Sequence, residues 1–165
     1  MTTRDADTTI PVPDIPPLLR RGIHGDGFQF LNMLRDRFHQ RSIDAGWWKQ
    51  LEDVKEAIQL SGFENADDLC AAVEKWFVGT KIALIHSEVS EMMEGYRKNL
   101  MDDHIPYRKM DEVEGADILI RFFDLAGFLE HDVAGATYEK GEYNAVRPDH
   151  KIETRESGEA GAKTF

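Results

Sequence analysis

One cysteine, Cys70, is the only thiol in the chain, so no intrachain disulfide can form and a reducing, cytoplasmic compartment is expected. Nothing around Cys70 resembles a nucleophile's setting, and it reads as a small apolar filler. Long hydrophobic runs are also lacking. No stretch approaches the roughly 18–20 apolar residues that span a bilayer, and the start has no signal-peptide core, so no membrane partner is expected. Positive charge is scarce, with 20 basic residues against 31 acidic ones and a net charge of −11. Such a surface repels nucleic-acid backbones, which excludes a polynucleotide as an expected partner. A small phosphorylated ligand stays compatible if metal ions screen its approach. Proline is scarce and clusters at one end: four of the six, Pro11, Pro13, Pro16 and Pro17, lie in the first 17 residues.

What is present suits a globular protein. At 165 residues, 41% hydrophobic and 31% charged, the chain is one domain's worth. Residues 1–24 read as a flexible proline-rich tail and 151–165 as a loose Gly-, Ala- and Glu-containing end, leaving a domain over 25–150. Within it the periodicity is helical and no alternating strand is found. A first helix is expected over about Phe28–Ala45, stopped by Gly46, and a second over Lys49–Leu60. Asn65 is placed to cap a long helix reaching Lys98, with a break allowed near Gly79. After a loop containing Pro106, two more helices are expected, over about Met110–Leu129 and Val133–Val146, the last ended by Pro148. The expected fold class is all-α.

Chemistry concentrates in two segments. Glu88, Glu91 and Glu94 recur every three residues, so neighbours share a helix face. The positions four residues after Glu88 and Glu91 are Met92 and Gly95, and only Glu94 has a basic partner at that spacing, Lys98. Ile82, Ile85, Val89, Met92 and Tyr96 mark the side expected to face the core, and Glu88 falls among them, with Glu91 at the edge. A carboxylate there must be neutralised, and a cation does so directly. On the later helix Glu114 and Asp117 repeat the spacing beside Ile118 and Leu125. Two facing helices with two carboxylates each would build an oxygen-only cage, which selects Mg²⁺ or Mn²⁺ over zinc or copper. The competing readings are acids on solvated helix faces, and a di-iron bundle, which calls for the E-x-x-H pairs missing here.

E-x-x-E followed by E-x-x-D on a later helix resembles the all-α nucleoside triphosphate pyrophosphatase superfamily, and its MazG-like members in particular. The segment Ala83-Leu-Ile-His-Ser-Glu-Val-Ser-Glu-Met-Met-Glu-Gly-Tyr-Arg is similar to that group's metal helix. Glu112-Val-Glu-Gly-Ala-Asp-Ile-Leu-Ile-Arg-Phe-Phe-Asp-Leu-Ala-Gly is similar to its second one. The run from Glu139 to Pro148 resembles a K-x-x-x-N-x-x-R-P ending, and His39 through Trp48 resembles the first helix. The likeness covers most of residues 28–150. A longer connection over 49–80 and the missing glycine pair after Pro148 depart from the compact pattern.

The resemblance implies a four-helix-bundle core completed by oligomerisation to a homodimer or homotetramer. It implies Mg²⁺-dependent hydrolysis of a nucleoside triphosphate between the α- and β-phosphates, releasing a monophosphate and pyrophosphate. Glu88, Glu91, Glu114 and Asp117 would hold the metal, with Glu88 and Glu91 catalytic and Glu91 taking the proton of the attacking water. Lys140, Asn144 and Arg147 fall at i, i+4 and i+7; the two cations would meet phosphate oxygens and Asn144 sugar, base or phosphate. Trp48, like Trp47, can stack on a base or pack in the core. His39 is a substrate-binding candidate that could equally be structural, and Lys81 could meet a phosphate or pair with a carboxylate. Two rival functions stay open: a non-enzymatic helical oligomerisation or regulatory module, and a hydrolase of another phosphorylated nucleotide such as an alarmone.

Overall fold

The computed structural model describes residues 28–147, and the two expected tails and Pro148 lie outside them. The described residues form helices α1 (Gln29–Asp44), α2 (Lys49–Leu60), α3 (Ala66–Lys98), α4 (Met110–Phe128) and α5 (Val133–Val146). No strand occurs among them beyond an isolated bridge between Met101 and Lys109. The described residues are therefore all-α. None of these helices is long and apolar enough to cross a membrane.

Local chemistry sets the helix ends. Gly46 takes a positive φ of 79°, its N–H bonds Ile43 O, and the Trp47 N–H reaches back to Ser42 O. This pair of bonds closes α1 in the Schellman manner. Asn99 and Glu130 close α3 and α4 in the same way, both at φ 53°. Asn65 stands at the start of α3 but makes no side-chain capping bond. Its φ of −109° and ψ of 29° differ from the extended conformation in which a capping side chain reaches the next amides. Gly79 does not interrupt α3, which runs unbroken for 33 residues.

The described residues divide into two compact units, 31–133 and a second formed by 28–30 with 134–147. In the larger unit α3 and α4 form a helical hairpin. Its loop is tied by Asp102, whose buried carboxylate accepts the N–H groups of His104 and Ile105 at 2.9 and 2.6 Å. Gly95 lets the two helices close in, since a Cβ there would lie 2.9 Å from Met110 Cβ. Trp48, Leu51 and Leu125 form one buried cluster, backed by Val73, Phe77, Val78 and Ile85. Phe123, Ala126 and Val133 form another, against which Leu31, Leu34 and Phe38 of α1 pack. In the described part of the smaller unit Phe28 meets the Tyr138 ring edge-on at 6.0 Å.

Of the side of α3 expected to face inward, Ile85 and Glu88 do so and the rest does not. Ile82, Val89, Met92 and Tyr96 are exposed, at 54%, 46%, 40% and 76%. Half-buried Lys81 and Ile85, with buried Glu88 and Gly95, lie on the inward side. Hydrophobicity misled here because this inward stripe carries a lysine, a glutamate and a glycine, each required by a specific neighbour on α4.

Candidate metal centre and aromatic pocket

The hairpin brings three of the four expected carboxylates together. One oxygen each from Glu88 and Glu91 on α3 and Glu114 on α4 lie within 4.8 Å of one another. Glu88 and Glu114 are buried, and Glu91 is exposed at the mouth. Asp117 stands one turn along α4, half-buried and outside this tight set. Crowding raises the affinity of these groups for protons. Burial, a hydrogen bond with Glu88 and the charges of Glu91, Glu88 and Asp117 push the Glu114 carboxyl up to about 7. Burial and the Glu88 charge also raise Asp117, against the pull of Arg121. Like charges at this separation resist full ionisation together. The donor set is oxygen-only and over-supplied with negative charge, which fits a hard divalent cation.

Glu88 is not short of a basic partner, as i+4 spacing alone suggested. Arg121 of α4 places Nε 2.8 Å from Glu88 Oε1, with the arginine side chain 43% exposed. Helix-internal spacing cannot register a partner that arrives from the facing helix. Glu94 pairs with Lys98 as expected.

A second centre lies two turns away along the same two helices. Asp124, 5% exposed, was not singled out in the sequence. Its Oδ1 accepts the Trp48 indole N–H at 2.8 Å and pairs with His39 Nδ1 at 3.1 Å, while Oδ2 pairs with Lys81 Nζ at 3.1 Å. One buried carboxylate thus ties α1, the turn before α2, α3 and α4. The signal was present in the register: Glu114, Asp117 and Asp124 continue along one side of α4, as Lys81 and Glu88 do on α3. The seven-residue steps Lys81 to Glu88 and Asp117 to Asp124 correspond to about 10 Å along each helix.

Lys81 therefore pairs with a carboxylate, and its ammonium also sits 4.4 Å from the centroid of the Trp48 ring. Trp48 is buried at 3% exposure and stacks on Phe128 at 4.2 Å and 16°. Trp47 is 69% exposed. Both Trp48 and His39 line an open pocket of about 360 Å³, together with Ile43, Leu51, Lys55 and Phe128.

Lys140 and Asn144 lie on α5, in the other unit, and Arg147 follows the helix end rather than extending it. The Lys140 and Arg147 cations stand 4.7 and 5.3 Å from the Tyr143 ring, so both flank that ring. Asn144 Oδ1 is shielded from solvent and has no hydrogen-bond partner.

No protein-family model, curated protein or solved structure matches this chain.

Proposed function

We propose that the protein is a Mg²⁺-dependent nucleoside triphosphate pyrophosphohydrolase of the MazG-like kind. The observation that carries this reading is the meeting of Glu88, Glu91 and Glu114 across two helices, with two of the three buried. Glu88, Glu91, Glu114 and Asp117 are the residues that would hold the metal; Mn²⁺ could substitute. Such an ion supplies charge neutralisation for the triphosphate, polarisation at the α-phosphorus and a bound water of lowered pKa. Glu91, the exposed member, is the candidate to accept the water's proton, and Glu88 positions it from the buried side.

The pocket lined by His39 and Trp48 is the candidate base site. It is aromatic, and its histidine and tryptophan are both bonded to Asp124 on α4, the helix that carries Glu114 and Asp117. Lys140, Asn144 and Arg147 keep the substrate-binding roles that the resemblance implies, and Lys140→Ala is expected to raise KM or lower kcat. Nucleotide-pool housekeeping in the cytoplasm is the setting that this chemistry suits.

The four-helix bundle is completed in this reading by a second copy, as homodimer or homotetramer. The uncovered stripe Ile82, Val89, Met93 and Tyr96 on α3, with Leu119 and Phe122 on α4, supports association. The same stripe is what favours the rival reading, a non-enzymatic oligomerisation module.

Pyrophosphate release from a panel of NTPs and dNTPs with Mg²⁺ separates the two readings, comparing wild type with Glu91→Gln. Release that disappears in the mutant supports the enzyme. A folded protein with no release from any nucleotide, even with Mn²⁺, would favour the module or a different phosphorylated substrate. Thermal stabilisation by Mg²⁺ that is lost in Glu88→Gln supports the metal site independently.

A further inference from the structure

The Asp124 contacts say which way round the pocket's histidine is held. An ionised carboxylate only accepts hydrogen bonds, so the His39 Nδ1 that meets Asp124 Oδ1 at 3.1 Å carries a proton. The same oxygen accepts the Trp48 indole N–H, and Oδ2 accepts from the Lys81 ammonium, which fixes the carboxylate in place. The root of the ring packs closely against the α4 backbone. Gly127 leaves no room beyond it, because a Cβ there would lie 2.4 Å from His39 Cβ and 2.6 Å from Cγ. The ring is further set edge-on to Trp48 and Phe128 at 5.4 and 6.5 Å. Among the described residues no group hydrogen-bonds Nε2, and the ring lines the pocket.

From this geometry we infer that Asp124 is a positioning residue that makes His39 Nε2 a hydrogen-bond acceptor, selecting heteroaromatic rings whose edge carries an amino or ring N–H donor. The inference rests on the base-site reading of this pocket and specifies its ligand class. A neutral imidazole with its proton on Nδ1 presents only a lone pair at Nε2. A ring edge with a donor satisfies that lone pair, whereas an edge bearing C–H leaves it desolvated and unpaired. Trp48, Phe128 and Ile43 offer apolar contact to the faces of any such ring, and because Glu52 and Lys55 also line the pocket, the His39→Phe comparison isolates the share of the imidazole.

The test uses free nucleosides, which need neither metal nor hydrolysis. Adenosine and cytidine are compared with purine riboside and the 4-deamino analogue of cytidine, which differ only in lacking the amino group. Binding is followed by NMR titration of the full-length protein up to millimolar ligand. Long-range ¹⁵N–¹H spectra of the imidazoles report which nitrogen of His39 carries the proton. Expected are an Nδ1–H signature, a loss of binding of about tenfold or more for each deamino analogue, and collapse of that difference in His39→Phe. In Asp124→Ala the signature is expected to move towards Nε2–H and the preference to weaken. If Asp124→Ala does not fold, the wild-type analogue series and the wild-type spectrum decide. An Nε2–H signature, equal binding of parent and deamino nucleosides, a preference that survives in His39→Phe, or no binding of any nucleoside overturns the inference. Pyrophosphate release from triphosphates by the same preparation would show the hydrolase reading standing without it, and its absence would be a separate failure of that reading.

Discussion

Arg121 and Glu88 face each other across the α3–α4 hairpin, with Arg121 Nε 2.8 Å from Glu88 Oε1. The pair joins a half-exposed cation to a buried carboxylate inside a cluster of like charges. It is the contact through which the hairpin tolerates Glu88 on its inward face, because an unpaired buried carboxylate is strongly destabilising.

Replacing Arg121 with Gln removes that counterion while keeping a side chain of similar length. The metal-free protein is expected to lose on the order of 1 kcal/mol, the arginine's exposure moderating the effect. Saturating Mg²⁺ should restore much of the loss, because the ion takes over neutralisation of Glu88. Thermal melts of wild type and Arg121→Gln with and without Mg²⁺ check this, and an equal deficit in both conditions would contradict it.

Glu114 predicts a pH dependence. Its carboxyl ionises near 4.5 in the unfolded chain and is raised to about 7 by the fold. The folded, metal-free protein therefore binds this proton more tightly than the unfolded chain does. The stabilising contribution is complete below about pH 4.5 and is lost as pH rises through about 7. A divalent ion must displace the same proton, so Mg²⁺ or Mn²⁺ affinity should climb with pH up to about 7 and then level. Calorimetric titrations between pH 5.5 and 8 in buffers of different ionisation enthalpy would reveal the released proton; a pH-independent affinity without proton release would contradict this assignment.

Two glycines within helices should respond oppositely to alanine. A methyl at Gly127 would meet His39 Cβ at 2.4 Å, so Gly127→Ala must push α1 away from α4 and is expected to cost about 1–3 kcal/mol. At Gly79 a Cβ meets nothing within 4 Å, so Gly79→Ala should stabilise by about 0.5–1 kcal/mol through helix propensity. Chemical denaturation of both variants measures the two signs.

Glu130 closes α4 with a φ of 53°, in the left-handed region where a side chain crowds the backbone. Glu130→Gly should relieve that crowding and stabilise by about 1 kcal/mol, offset in part by the greater freedom of glycine in the unfolded chain. The midpoint of urea unfolding reads the difference.

Much of the architecture was legible in the residue order. Helix α2 coincides with the expected Lys49–Leu60, and the Gly46 stop forms as expected, because such boundaries depend on turn chemistry within a few residues. Helical period puts Glu88 and Glu91 on one face of α3, and Glu114 and Asp117 on one face of α4. Helix boundaries and the pairing of carboxylates within each helix were therefore determined locally, whereas the approach of Glu114 to Glu88 and Glu91 needed the hairpin. Tertiary structure decided the rest. Arg121 on Glu88, and Asp124 beneath Trp48, His39 and Lys81, join residues 33 to 85 positions apart, and no periodicity within one helix encodes such a meeting. It likewise decided which face of α3 turns inward. The apolar stripe Ile82, Val89 and Tyr96 lies open, while a lysine and a glutamate are drawn in by charged groups on α4. Hydrophobicity ranks residues one at a time, whereas burial of a charge depends on what the facing helix offers it.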